Sequence, residues 1–140
     1  MRERQEELLE LLDKSGASLY ALLTRLTLRE DVAEELMQEL FIKLGNTKPN
    51  RIANWAAYAH RAAINLAFDW RRRQKQAALS LDQIHEPASN YNSPLSKLIN
   101  AEELQAILNA IAQLNKTSRQ VLVMRYIQQQ PYDDIAEQMG

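Results

Sequence analysis

Apolar residues recur at helical spacing along almost the whole chain. Leu8, Leu11 and Leu12, then Leu19, Leu22, Leu23 and Leu26, follow an i, i+3, i+4 rhythm. The interruption at Ser15-Gly16 predicts two short helices, with Ser15 or Ser18 capping the second. Thr27 is the expected N-cap of the next helix, whose first turn carries Glu30 and Asp31, where the positive end of the helix dipole favours acids. The stripe of that helix is Ala33, Leu36, Met37, Leu40, Phe41 and Leu44, Gly45 ends it, and Glu34, Glu35, Gln38 and Glu39 form the opposite face. A short loop over 46–51 contains Pro49. Beyond it a long helix is predicted from about Ile52 to Gln74, burying Trp55, Ala59, Ala62, Ala63, Leu66 and Trp70. Its Arg71, Arg72, Arg73 and Lys75 then fall at the C-terminal end, where cations suit the dipole.

Residues 77–96 contain Pro87, Pro94 and a Ser/Asn-rich centre, and read as a flexible linker with a short apolar anchor at Leu79, Leu81 and Ile84. Helical spacing resumes over about 95–113, 117–128 and 131–139, with Pro131 at a first-turn position. No strand-like alternation occurs. The expectation is an all-α chain with one helical domain over 1–76, a linker over 77–96 and a second domain over 97–140.

Composition supports this and adds charge asymmetry. Hydrophobic residues make up 46% of the 140, enough for a core, and only 3 Gly and 4 Pro interrupt the helix formers. The net charge of −1 conceals a sharp division. Residues 1–46 carry 6 Lys/Arg against 10 Asp/Glu, residues 47–76 carry 7 against 1, and residues 77–140 carry 4 against 7. A basic block inside a neutral chain points to a local nucleic-acid surface flanked by protein-binding or structural parts. With no cysteine, disulfides and thiolate metal sites are excluded within this chain. No apolar stretch approaches the roughly 20 residues of a membrane span. The opening MRERQEELLE lacks an apolar signal core, so a cytoplasmic location is expected.

On the long helix, Asn54, Tyr58, Arg61, Asn65, Asp69 and Arg72 are spaced by three or four and share one face. Donors, acceptors, an aromatic ring and cations together suit a sugar-phosphate backbone and exposed bases. Asp69 reads as an orienting group for Arg72 or Arg73. A solvated helix end with dipole-matched arginines is the competing reading. The C-terminal RQVLVMRYIQQQPYDDIAEQMG has the form of a helix, a break and a second helix. Its stripe of Tyr132, Ile135, Ala136 and Met139 has a small residue at its centre, as the first helix of a helix-turn-helix requires; a plain three-helix bundle is the alternative. Catalysis is not expected: His60 and His85 share no metal-ligand spacing, no glycine-rich phosphate loop exists, and the adjacent Asp133 and Asp134 point to different helix sides. No metal and no cofactor are expected.

The three segments, in this order, resemble a bacterial sigma factor of the extracytoplasmic-function group in the sigma-70 family. DVAEELMQELFIKL is similar to the core-polymerase-binding helix of region two. The resemblance implies that Glu35, Leu36, Gln38, Glu39 and Phe41 face the clamp helices of the largest subunit, with Glu35 standing where Asp is usual. NWAAYAHRAAINLAFDWRRR resembles the helix that melts the promoter and reads its −10 element, with Arg61, Asn65, Asp69 and Arg72 at matching positions and Tyr58 and Arg73 beside them. The loop Lys48 to Ile52, with Asn50 and Arg51, corresponds to the family's loop that captures a flipped non-template base. The last segment resembles the first part of region four. The chain stops at Gly140 where the recognition helix would begin, so a truncated region four and no −35 reading are expected of it. The implied partners are RNA polymerase core, the non-template single strand at −10, and an anti-sigma factor able to clamp the two domains. Two other classes compete: a helix-turn-helix regulator acting without polymerase, and a helical protein-protein adaptor.

Overall fold

The computed structural model describes residues 2–47, 54–81 and 100–140. The described residues form α1 (Arg2–Thr27), α2 (Glu30–Asn46), α3 (Trp55–Leu81), α4 (Ala101–Ala112), α5 (Lys116–Leu122), a wide turn of π-helix (Val123–Ile127) and α6 (Tyr132–Met139). Most of the linker expected over 77–96, and the loop residues Lys48, Asn50 and Arg51, lie outside the described residues.

α1 is one continuous helix, not the two expected from Ser15-Gly16. A glycine in a helix interior costs about 0.5–1 kcal/mol relative to alanine. Burial of Leu11, Leu19, Leu22, Leu23 and Leu26 along one side outweighs that, at about 1.5–3 kcal/mol per side chain. Thr27 does not cap α2. Its hydroxyl donates back to the Leu23 carbonyl at 2.8 Å and accepts the Arg29 amide at 3.3 Å, closing α1. Leu28 follows in the left-handed region (φ 61°), which turns the chain while keeping its side chain buried. Arg29 stands at the N-cap position of α2 without a capping side chain, and its guanidinium grips Asp31 at 2.6 Å. α2 ends at Asn46, one residue past Gly45.

α3 begins behind Asn54, whose side-chain oxygen accepts the Ala57 amide at 3.1 Å, and it runs to Leu81, well beyond Gln74. Arg71, Arg72 and Arg73 therefore lie in the helix body, and dipole matching cannot be what holds them there. The buried side is Ala57, Ala59, Ala62, Ala63, Ile64, Ala67 and Phe68, while Trp55, Leu66 and Trp70 are only half-buried at its margin. Alanines let α1 and α2 approach α3 closely, leaving Phe68 as its one large, fully enclosed ring.

The C-terminal helices are individually well capped. Asn100 accepts the Glu103 amide at 2.8 Å, and Asn115 accepts the Ser118 amide at 2.9 Å. Leu104, Leu108 and Ala112 of α4, with Val123, Met124 and Ile135, join the residues of α1, α2 and α3 in one apolar cluster. The two halves of the chain thus share a core, with α4 and α5 laid against α3. Pro131 stands at the N-cap of α6, one position ahead of the first turn expected for it.

Candidate nucleic-acid interface

α3 brings Tyr58, Arg61, Asn65, Asp69 and Arg72 onto one side, as their spacing predicts, and leaves Asn54 and Arg73 exposed at the margins. Tyr58 sits edge-on to Trp55, ring centres 6.4 Å apart, which fixes its ring without covering it. Around Tyr58, Arg61 and Asn65 opens a cleft of about 310 Å³, closed off by Lys43 from α2 and by Gln120 and Met139 from the C-terminal half. It combines two cations, one aromatic face and two amides, at the lower end of the size range of small-molecule sites.

The side that carries these residues is in contact with the other half of the chain. Arg61 donates to the Gln138 carbonyl at 2.5 Å, and Arg72 donates to the carbonyls of Ala112 at 2.6 Å and Leu114 at 3.2 Å. Asn65 accepts from Gln120 at 3.2 Å and from Arg119 at 3.5 Å. Asp69 does not orient Arg72 or Arg73. Its carboxylate lies 3.7 Å from the guanidinium of Arg119 in α5. Arg72 finds backbone carbonyls instead, because the end of α4 presents its free C-terminal oxygens within reach.

Three polar residues of this region escaped the sequence reading. Arg71 is 4% exposed and donates to the Leu26 carbonyl, to Gln105 at 2.8 Å and to Asn109 at 3.0 Å. Burial pulls its pKa down to about 10. Arg119 is 1% exposed, stands 5.9 Å over the ring of Phe68, and its pKa is lowered by burial first and by neighbouring Arg72 second. Gln120 is buried beside it. The one signal in the sequence is their position, polar residues immediately ahead of the apolar run VLVM.

On α2, Glu34, Glu35, Gln38 and Glu39 are exposed, and their side chains make no hydrogen bond or ion pair among the described residues. Leu36 behaves differently from expectation. At 2% exposed it belongs to the core and cannot face a partner. Phe41 is half-buried, and Ile42, 65% exposed, supplies the apolar surface that Leu36 does not.

Among known families, a model described as Sigma-70 region 2 matches residues 11–77, and one described as Sigma-70, region 4 matches residues 104–140. The chain belongs to the sigma-70 family. The region 4 match is of the extracytoplasmic-function type, and it takes in α4's buried residues, α5, the π turn and α6. No individual curated protein matches the chain. Membership makes it a sigma factor of transcription initiation, with RNA polymerase core and promoter DNA as the partners its domains imply. Among the described residues, no helix is long and apolar enough to cross a membrane and no His, Asp and Glu cluster could hold a metal.

Proposed function

We propose that this sigma factor docks on RNA polymerase core through the acidic face of α2 and holds the opened non-template strand of the −10 element on the polar face of α3. The observation that supports it best is the separation of the two faces on neighbouring helices. α2 offers Glu35, Gln38 and Glu39 to solvent beside Phe41 and Ile42. The next helix gathers Tyr58, Arg61, Asn65 and Arg72 on a single side. A charged and amide-bearing surface rimmed by apolar groups suits a partner helix of mixed character. Tyr58 offers a ring on which an unpaired base stacks, worth about 1–3 kcal/mol. Each arginine that meets phosphate adds about 0.7 to the salt slope of single-strand binding. Lys48, Asn50 and Arg51 complete the strand-binding set in the loop ahead of α3, where a flipped base is captured. In this reading the residues up to the end of α3 form the working unit and those from α4 onward the second, both acting in the cytoplasm; an anti-sigma factor would act by clamping the two.

The test is a pull-down of core polymerase by the full chain and by Glu35→Ala, Gln38→Ala and Phe41→Ala, with thermal melting of each. Loss of polymerase by the variants at unchanged melting temperature is expected for Glu35 and Gln38. Retention by all three overturns the docking face. Crosslinking of Tyr58 and Arg61 variants to a bubble promoter in the holoenzyme tests the strand-binding side, and wild-type yields from both overturn it.

A further inference from the structure

Searching the molecule beyond these two faces leads to the junction between α3 and the C-terminal helices. We infer that the C-terminal half acts as an internal competitor for the strand-binding face, occupying Arg61, Asn65 and Arg72 until the chain opens. The inference rests on the proposed strand-binding role of α3 and names its regulation.

The contacts at this junction imitate what nucleic acid would offer. Arg61 and Arg72 place their guanidiniums on carbonyl oxygens of Gln138, Ala112 and Leu114, acceptors that stand where phosphate oxygens would. The Asn65 carbonyl is filled by the amide of Gln120, a donor of the kind a base edge presents. One residue cannot serve both sets of partners at once. Binding a strand along this side therefore requires the C-terminal helices to leave it.

The closed packing is also imperfect in a way that favours release. Nε and Nη1 of Arg119 and Nη2 of Arg71 are buried with no hydrogen-bond partner. Arg119 also lies near the like charge of Arg72, offset only by Asp69 at 3.7 Å. Buried charge short of partners is costly, and opening the junction returns those groups to water. The α2 face remains exposed throughout, so polymerase can be engaged while the strand-binding side is still covered.

The apparent affinity of a chain whose competent form is a minority falls by the fraction open, so a chain one-tenth open gains about tenfold when closure is removed. The experiment compares the full chain with Arg119→Ala and Gln120→Ala, neither assigned to the strand-binding face. A short mixed-sequence single-stranded oligodeoxynucleotide is followed by anisotropy. In parallel, dyes on cysteines introduced at the exposed Ala17 and Ala136 report the distance between halves, in a chain with no cysteine of its own. The expected result is a longer distance and several-fold tighter binding in both variants. For Arg119→Ala the sign is diagnostic, since losing a cation weakens binding by any simple charge argument. A longer distance with unchanged or weaker binding overturns the inference while the wild type still binds. An unchanged distance overturns it as well, and Gln120→Ala covers the case in which losing Arg119 unfolds its own helix. Absence of binding by every chain, opened or not, overturns the strand-binding reading itself and the inference with it.

Discussion

Asn65→Ala is the substitution whose cost can be worked most directly from the geometry. The Asn65 oxygen is the acceptor for Gln120 at 3.2 Å and for Arg119 at 3.5 Å, and both donors are buried. Removing it leaves the Gln120 amide without that partner. Arg119 keeps only the Asp69 carboxylate at 3.7 Å. A buried donor left unmet costs about 1–3 kcal/mol. Both contacts are long, and Asn65 is half-buried so that water can refill part of the gap, which places the expected loss at about 1–2 kcal/mol. Urea unfolding followed by the fluorescence of Trp55 and Trp70, both on α3, reads it directly. With a slope of about 2 kcal/mol/M, the midpoint falls by about 0.5–1 M. Asn65→Asp is the companion. It places a carboxylate opposite the under-partnered guanidinium and raises the midpoint at neutral pH. If Asn65→Ala stays within the about 0.5 kcal/mol band of ordinary surface substitutions, the contacts to α5 carry no weight and the reasoning is refuted.

Other outcomes follow from the same structure. Gly16→Ala stabilises by about 0.5–1 kcal/mol in thermal or urea unfolding, because the added methyl meets only the mobile end of Leu12, at 2.9 Å, and gains helix propensity. Leu36→Ala costs about 2–5 kcal/mol as a core truncation, whereas Gln38→Ala leaves unfolding unchanged; equal behaviour of the two in denaturation contradicts the burial described for α2. Asp31 is held below the usual carboxylate range by the hydrogen bond from Arg29 and then by its charge. Its contribution is therefore present above that range and lost as pH falls through the lowered value. The stability gap between wild type and Asp31→Asn closes below about pH 4, as measured by melting across an acid series.

Helix positions were legible because apolar spacing is a local signal. The stripe of α2 and the shared side of Arg61, Asn65, Asp69 and Arg72 follow from intervals of three and four alone. Boundaries were less legible wherever a local preference met tertiary burial. Ser15-Gly16 looked like a break, yet the leucines on either side hold α1 continuous. Thr27 looked like a cap for the following helix, but its hydroxyl closes the preceding one. Leu36 fell in the core because its motif position and its place on the stripe gave opposite answers, and burial decided. The junction between the halves had no signature at all. Arg72 and Ala112 are 40 positions apart, and no periodicity links a guanidinium to the carbonyl of a distant helix end. The covered state of the α3 side was accordingly invisible until the helices were seen together.

The docking of Arg61 and Arg72 on the chain's own carbonyls bears on where such a molecule spends its time. A chromosome offers about 10⁶–10⁹ stray landing places, and any bare cationic strip would be drained away by them. With those two heads turned inward, the folded chain diffuses past bulk DNA and stays free to meet the enzyme that gives it a purpose.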